Sequence, residues 1–365
     1  MKEKKHIVYT AIMALLFFGM SFFCWFKPAD DFSWTERRPL DQFPKLNMQT
    51  LLNGSFMSKF EEYTLDQFPM RDQFRSMKAA VAFYILGQKD NNDIYMVGDY
   101  VSEMEYPLHK EAVSQSMHKF ASIAEQYFQG TGVKLYHAVI PDKNYFLAAD
   151  NGYLSIDYEA LFQQVKEEGS FMEYIDIVDL LQLEDYYYTD THWQQQSIIA
   201  VAEALADAMG AEVKTSYEEH TLDTPFYGVY YGQLGLPVNP DHITYLTNPV
   251  LDSCLVYDHQ NNKEMPMYDL DKAVGRDPYE MYLGGSLSVV TIENPAAATD
   301  KELVIFRDSF GSSIAPLLVD GYKKITLLDA RYLHQNMIGN YVEFTNQDVL
   351  FLHSASVLNN PSAFK

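Results

Sequence analysis

Residues 304–313 read Val-Ile-Phe-Arg-Asp-Ser-Phe-Gly-Ser-Ser, and an apolar stretch follows them as far as Val319. The pattern predicts an apolar strand that breaks at Ser309 and passes into the start of a helix. In α/β proteins such a junction lies at the carboxyl edge of a sheet, where functional sites are built. The N–H groups that follow the serine face outward there and can stabilise an oxyanion. The alternative is a Ser/Gly turn that only caps a helix.

Strand-like and helix-like segments alternate on both sides of this stretch. Strands are predicted at 133–140, 171–177, 282–292, 303–306, 324–328 and 349–353, and helices at 110–129, 158–168 and 194–209. Such alternation predicts an α/β sheet with helices on both faces. Residues 211–300 are rich in Tyr, Pro and Asp and are predicted to form an irregular insertion in this domain, which spans 86–365.

The N-terminal segment predicts a membrane anchor, because seventeen of the twenty residues 7–26 are apolar. A helix of that length is about 30 Å long, the thickness of a bilayer's hydrocarbon core. Three lysines in the tail 1–6 predict a cytoplasmic N-terminus, and no small residues follow the run where a signal peptidase would cleave. A buried core helix is the alternative. Residues 27–85 are predicted to form a stalk followed by a helical lead-in to the domain. The stalk, residues 27–53, is predicted to be extended.

Charge and cysteine content exclude several classes of function. The chain has 27 Lys and Arg against 50 Asp and Glu, and residues 27–365 alone have a net charge of −25. A domain with this negative charge repels nucleic acid, and it is expected to bind a neutral glycan better than a polyuronate. Only Cys254 lies outside the apolar run, so neither an intrachain disulfide nor a Cys-based zinc site is expected in the folded part. The ten histidines are scattered, and we expect no metal or cofactor.

A second candidate segment, Tyr188-Thr189-Asp190-Thr191-His192-Trp193, precedes the predicted helix 194–209. A carboxylate two residues before a histidine can fix the imidazole tautomer and stabilise its protonated form. The alternative is a capping box formed by Thr191 and Gln194. With Ser309 as a nucleophile, the pair Asp190–His192 would complete the set of groups that a serine hydrolase or transferase needs.

The order of these residues, with the acid–base pair before the serine, resembles the permuted SGNH-like domains of alginate O-acetyltransferase accessory proteins. The chain is more specifically similar to the DHHW family of Gram-positive bacteria, whose name describes a motif present here as Asp190-Thr191-His192-Trp193. The segments that carry the resemblance cover most of the chain after the anchor: Glu36-Arg37-Arg38-Pro39-Leu40, Phe43-Pro44, Asp66-Gln67-Phe68-Pro69-x-Arg71, Pro141-Asp142-Lys143, Tyr282-Leu283-Gly284-Gly285, Arg307-Asp308-Ser309-Phe310 and Asp329-Ala330-Arg331-Tyr332.

The resemblance implies an SGNH-hydrolase-like fold in which Ser309 is the nucleophile, His192 the general base and Asp190 its orienting partner. Thr191 replaces the first histidine of the family's motif. Ser286 follows Gly284-Gly285 at a position where an asparagine-like side-chain amide is expected to donate to the oxyanion. The candidates for contact with the oxyanion or the substrate are Phe310, Gly311, Ser286, Lys143, Trp193 and Arg307.

The resulting interpretation is an extracytoplasmic enzyme that transfers an acetyl group through acetyl-Ser309 to an exported polysaccharide. The resemblance implies a membrane-bound O-acyltransferase as the partner that supplies acetyl groups. Two alternatives stay open: a carbohydrate acetylesterase with the same residues, and a non-catalytic glycan-binding or scaffold subunit of an exopolysaccharide machine of the kind that builds biofilm. The neighbouring aromatic side chains would stack on sugar rings or form a buried cluster: Tyr186, Tyr187, Tyr188 and Trp193.

Overall fold

A computed structural model describes residues 2–213 and 216–364 of the protein, and these divide into two compact units. The smaller unit extends to Asn92 and includes Tyr231–Pro237. The larger unit comprises Asp93–Tyr230 and the residues from Val238 onward, and it contains both candidate segments.

The larger unit is built on an eight-stranded sheet. Its strands, numbered along the chain, are β1 (Lys134–Ile140), β2 (Glu173–Tyr174), β3 (Leu255–Asp258), β4 (Lys263–Met265), β5 (Val289–Glu293), β6 (Glu302–Arg307), β7 (Lys324–Leu328) and β8 (Asp348–Ser354). They lie in the order β4-β3-β5-β7-β6-β8-β1-β2. The five strands from β7 to β2 are parallel, and β4, β3 and β5 form an antiparallel wing.

Alternate residues of the central strands pack into two separate hydrophobic clusters. In β6, Leu303 and Ile305 point into one cluster, and Val304 and Phe306 point into the other. Helix Ile199–Ala208 covers the first face. The second face is covered by helices Lys110–Tyr127, Tyr158–Glu168 and Ala355–Asn359. Burial on both faces explains why these strands are apolar without interruption, and the predicted three-layer α/β fold is confirmed.

Three of the predicted elements differ from the structure. Of the segment 282–292, which contains the predicted short strand, only Val289–Glu293 is a strand. The predicted strand 171–177 is reduced to the two residues of β2. The predicted helix 194–209 begins only at Ile199. Residues Gln195–Ser197 form a 3₁₀ turn before it, because the Gln195 side chain makes hydrogen bonds to other parts of the chain. Gln195 Nε2 donates to Ser313 O and its Oε1 accepts from Leu246 N. Gln194, the partner of Thr191 in the predicted capping box, donates its backbone N–H to Asp185 O, so the capping-box alternative is wrong.

Residues 211–300 are more regular than predicted. They contain an antiparallel hairpin of Glu218–Phe226 with Asp241–Thr247, the helix Pro249–Ser253, and the strands β3, β4 and β5. The region thus supplies one whole edge of the central sheet. Its first strand is mostly polar and exposed, which is why hydrophobic periodicity did not reveal it. Outside this region, Ile94–Val97 and Tyr100–Glu103 form another hairpin, and Lys143–Asn151 forms a helix after β1.

The smaller unit begins with helix Lys2–Phe26. Its segment Lys5–Phe26 is, within the described residues, the one helix long and apolar enough to cross a membrane. The unit also contains the paired strands Phe32–Ser33 and Arg38–Pro39, the helices Met48–Leu52, Ser55–Asp66 and Arg71–Ala80, a π-helical turn Val81–Ile85, and strand Asp90–Asn91. Helix Val229–Leu234 connects back into it.

Residues 27–53 are not the extended stalk that their composition predicts. The Arg38 guanidinium binds both carboxylate oxygens of Asp66, at 2.7 and 2.5 Å, and Arg71 lies 2.5 Å from Glu36. Asp66 is buried, and its Oδ2 also accepts from the backbone N–H of Asp41. These contacts fold the segment back onto the helices that follow it.

Candidate active site

Three side chains from the two candidate segments form one chain of hydrogen bonds. His192 Nε2 lies 2.7 Å from Ser309 Oγ, and His192 Nδ1 lies 2.5 Å from Asp190 Oδ1. Asp190 and His192 are buried, and Ser309 is partly exposed. This arrangement allows the imidazole to take a proton from the serine while the carboxylate stabilises the resulting positive charge.

Ser309 stands at the carboxyl end of β6, on a turn that Asp308 organises. Asp308 Oδ1 accepts from Phe310 N at 3.0 Å, and its Oδ2 accepts from the backbone N–H and hydroxyl of Ser354 at the end of β8. Gly311 N donates to Asp308 O. Since these contacts occupy the N–H groups of Phe310 and Gly311, the geometry leaves neither of these two oxyanion candidates free. The Ser309 N–H has no hydrogen-bond partner among residues 2–213 and 216–364.

The segment that leads into Asp190 is held from both sides. Lys143 Nζ donates to the carbonyl oxygens of Tyr187 and Tyr188, both at 2.9 Å. The carboxylate of Asp241 accepts from Tyr188 N at 2.7 Å, and from the N–H and hydroxyl of Thr189 at 2.8 and 2.6 Å. The Lys143 amine and the Asp241 carboxylate therefore fix the backbone just before the acid–base pair.

Asp190 is also held by residues that follow the hairpin strand Glu218–Phe226. Its Oδ2 accepts from Val229 N at 2.9 Å, and Gly228 N donates to the hydroxyl of Thr189. A side chain at Gly228 would collide with the backbone of Thr189 and Asp190. The two backbone segments approach each other closely only because this residue has no Cβ.

Burial and charge oppose each other at the groups that hold this segment. Burial lowers the pKa of Lys143 to about 7, although the carboxylates of Asp190 and Asp241 act in the opposite direction. Burial raises the pKa of Asp241, while its hydrogen bonds from Thr189 act to lower it. Burial likewise raises the pKa of Asp142, which precedes Lys143, to about 6.

A turn at Gly284–Leu287 is tied to the strand that carries Ser309. Arg307 is fully buried, and its Nη2 donates to the carbonyl oxygens of Gly285 and Leu287, both at 3.0 Å. These two residues flank Ser286, which is exposed. Gly285 has a φ of +77°, and a Cβ there would meet the side chain of Glu280, so this bend requires glycine. Arg307 thus supports the turn of Ser286.

The other predicted contact residues are enclosed by protein. Lys143, Trp193 and Arg307 are each at most 1 % exposed, so they support the site from behind. Tyr186 and Tyr187 are also fully buried, whereas Tyr188 is 40 % exposed and packs against Tyr100 with ring centroids 4.6 Å apart. The expected stacking on sugar rings is therefore available to Tyr188 alone among the four aromatic residues near the motif.

Sequence reasoning missed the side chains of Asp241 and Tyr279, which contact the site. Both lie in residues 211–300, and neither has a local motif that would mark it. Asp241 comes from the hairpin strand Asp241–Thr247, and Tyr279 from a 3₁₀ turn, Pro278–Met281. Within residues 2–213 and 216–364, no group of three His, Cys, Asp or Glu side chains could hold a metal ion.

Comparison with known proteins supports the resemblance that the motif suggested. The model of a family described as DHHW protein matches residues 171–328, which contain Asp190, His192 and Ser309. The predicted match to the DHHW family is confirmed. Comparison with curated proteins gives no match.

Solved structures of a DHHW family protein and of PatB1 share the fold of the larger part of the chain. A DHHW family protein from Eubacterium siraeum is 20 % identical, with a TM-score of 0.59 over 74 % of this chain and 92 % of its own. Bacillus cereus PatB1 is 18 % identical, with a TM-score of 0.58 over 74 % of this chain and 99 % of its own. The O-acetyltransferase domain of Pseudomonas putida AlgJ is 11 % identical, with a TM-score of 0.45 over 74 % of this chain and 95 % of its own.

Proposed function

We propose that the protein is a serine-dependent O-acetyltransferase that acetylates an exported polysaccharide. The observation that carries the proposal is the hydrogen-bonded series Asp190–His192–Ser309, with contacts of 2.5 and 2.7 Å. The match to the DHHW family agrees with this choice of reacting groups, because the matched residues include all three. A hydroxyl, an imidazole and a carboxylate can together carry out acyl transfer without a metal ion.

In the first half-reaction, Ser309 Oγ bonds to the carbonyl carbon of an acetyl donor while its proton passes to His192 Nε2. The carbonyl oxygen becomes an oxyanion, for which the free N–H of Ser309 and the turn at Ser286 are the candidate donors. The bond to the leaving group then breaks, and His192 returns the proton to that group. The product is acetyl-Ser309.

In the second half-reaction, a sugar hydroxyl attacks the acetyl carbon of acetyl-Ser309. His192 takes the proton of this hydroxyl, and the tetrahedral intermediate collapses with the proton returning to Ser309 Oγ. The acetyl ester of the sugar is released, and Asp190 holds the imidazole in one tautomer throughout. Water in place of the sugar would give acetylesterase activity with the same groups.

We further propose that helix Lys2–Phe26 anchors the protein with the larger unit outside the cytoplasm of a Gram-positive cell. The length and apolar character of Lys5–Phe26 support the anchor, and the lysines that precede it support the orientation. The anchor would hold the site close to a membrane-bound O-acyltransferase that delivers acetyl groups and to the glycan as it emerges.

The test uses the full chain in detergent with a chromogenic acetyl ester, with and without neutral oligosaccharides. We expect Ser309→Ala and His192→Ala to lose hydrolysis, and the wild type to give acetylated oligosaccharide detectable by mass. Both variants turning over the ester as fast as the wild type would overturn the proposed mechanism. Fast hydrolysis with no acetylated product from any glycan would assign an acetylesterase.

A further inference from the structure

The ring of Tyr279 lies flat against the imidazole of His192. The ring centroids are 3.7 Å apart, and the planes differ by 7°. Tyr279 is 3 % exposed, so the contact is enclosed by protein. The two imidazole nitrogens already face Asp190 and Ser309. Tyr279 therefore covers a face of the ring that these hydrogen bonds do not constrain.

The hydroxyl of Tyr279 anchors its ring to a single serine. Ser313 Oγ accepts from Tyr279 Oη and from Trp193 Nε1, each at 2.8 Å, and donates to Phe310 O at 3.3 Å. One donor and two acceptor sites are all that a serine hydroxyl provides, so Ser313 is fully used. Trp193 follows His192 in the chain and Phe310 follows Ser309, so this hydroxyl links Tyr279 to the neighbours of both reacting residues.

Residues 211–300 place Tyr279 at this position. Asp277 caps the 3₁₀ turn Pro278–Met281 by accepting from Tyr279 N at 3.2 Å. The ring belongs to a hydrophobic cluster with Tyr187, Phe226 and Tyr282, in which the Tyr282 centroid lies 5.0 Å away. The side chain is thus fixed at its backbone, its ring and its hydroxyl.

We propose that Tyr279 is a positioning residue for the reaction of Ser309, acting through the orientation and charge of His192. This inference rests on the proposed function. The two hydrogen bonds of His192 fix the positions of its ring nitrogens but allow the ring to rotate about the line that joins them. The Tyr279 ring, in van der Waals contact with the face of the imidazole, prevents this rotation. When His192 takes the Ser309 proton, the negative face of the aromatic ring also stabilises the imidazolium.

The kinetic test compares Tyr279→Phe, which keeps the ring, with Tyr279→Leu, which removes it, in the full chain in detergent. Tyr279→Leu is expected to lower kcat for the chromogenic ester about 100-fold with KM unchanged, because a small misplacement of a reacting group has an effect of about that size. Tyr279→Phe loses one hydrogen bond and is expected to keep kcat within about fivefold of the wild type. Tyr322→Leu is the matched control, since Tyr322 is equally buried, donates to Asp348 and lies outside the site.

A spectroscopic test separates the stack from a general loss of folding. In protein with ¹³C-labelled histidine, the His192 ring signal is the one absent from His192→Asn, and the Tyr279 ring current is expected to shift it upfield. The shift should persist in Tyr279→Phe and Tyr322→Leu and disappear in Tyr279→Leu. A Tyr279→Leu enzyme with wild-type kcat, a Tyr279→Phe enzyme as slow as Tyr279→Leu, or an unchanged His192 signal in Tyr279→Leu would each overturn the proposal. Failure of the proposed function is a different result, namely wild-type hydrolysis by Ser309→Ala.

Discussion

His192 Nε2 lies 2.7 Å from Ser309 Oγ, although the two residues are 117 positions apart in the chain. The serine lies just after the central strand β6, and the histidine stands on a segment fixed by Lys143 and Asp241. The contact therefore depends on a scaffold drawn from several parts of the larger unit. The site can therefore be tested both at Asp190, His192 and Ser309 and at the groups that hold them in place.

We predict that a small sulfonyl fluoride, such as methanesulfonyl fluoride, labels Ser309. A serine activated by a neighbouring imidazole attacks sulfur(VI) as it attacks an acyl carbon. Intact-mass measurement should show one adduct on the wild type, none on Ser309→Ala, and slower labelling of His192→Ala. Ser288→Ala is the control and should be labelled like the wild type. Labelling of Ser309→Ala at the wild-type rate would contradict the assignment.

We predict that Asp241→Asn slows the reaction without changing KM for a small ester. Asp241 accepts three hydrogen bonds from Tyr188 and Thr189, and an amide offers only one acceptor oxygen to these donors. The unmet donors should lower the free energy of unfolding by about 1–3 kcal/mol. Urea unfolding and ester kinetics check both effects, with the exposed Asp252→Asn as the control. A variant with wild-type kcat would show that this carboxylate does not position Asp190.

A pH prediction follows from Lys143, whose pKa burial lowers to about 7 from an ordinary value of 10.5. Below pH 7 the amine is protonated in both the folded and unfolded states. Between about pH 7 and 10.5 only the unfolded state keeps the proton, so raising the pH favours the folded state. The free energy of unfolding of the wild type relative to Lys143→Met should therefore rise with pH in this window, by at most about 1.4 kcal/mol per pH unit.

This comparison uses urea unfolding at pH 6.5, 8 and 9. The difference between the two proteins is the relevant quantity, because Glu105, whose pKa burial raises to about 8, titrates in the same range in both. Lys110→Met, at an exposed position, is the control and should give a difference that does not vary with pH. A flat difference for Lys143→Met would mean that the buried amine stays protonated throughout.

The central strands and the meeting of Asp190, His192 and Ser309 could be predicted because their signals are local. The strands β6, β7 and β8 are continuous apolar runs, and Asp190, His192 and Ser309 stand in short motifs. Asp241 and Tyr279 could not be predicted, because their roles arise from chain segments that meet only in the folded protein. The helix start at Ile199 was misplaced because Gln195 binds Ser313 and Leu246, which no local rule reveals.

We predict that Tyr188 contributes to acceptor binding and not to ester hydrolysis. Its ring is 40 % exposed and two positions from Asp190, whereas Tyr186 and Tyr187 are fully buried. Tyr188→Ala should raise KM for an oligosaccharide acceptor about fivefold, since stacking on an exposed aromatic ring contributes about 1 kcal/mol, and leave hydrolysis of the small ester within twofold. Tyr332→Ala, at another exposed tyrosine, is the matched control. An equal effect on both substrates would assign Tyr188 a structural role.

Arg38 and Asp66 hold residues 27–53 against the helices of the smaller unit. Arg38 lowers the pKa of Asp66 below its ordinary value of 3.8. The stabilisation is therefore complete above pH 3.8 and is lost as the pH falls through the lower value of the folded state. Asp66→Asn removes the charge that binds Arg38 and weakens the acceptor for Asp41 N.

We expect this change to destabilise the segment by about 2 kcal/mol, which corresponds to roughly thirtyfold faster local opening. Hydrogen exchange at pH 7 should show the faster opening in peptides from residues 28–42 and no change in peptides from β6 and β8. Glu61→Gln, an exposed position on the same helix as Asp66, should exchange like the wild type. Unchanged exchange in Asp66→Asn would mean that other contacts hold the segment, because the ion pair would then contribute nothing measurable to its order.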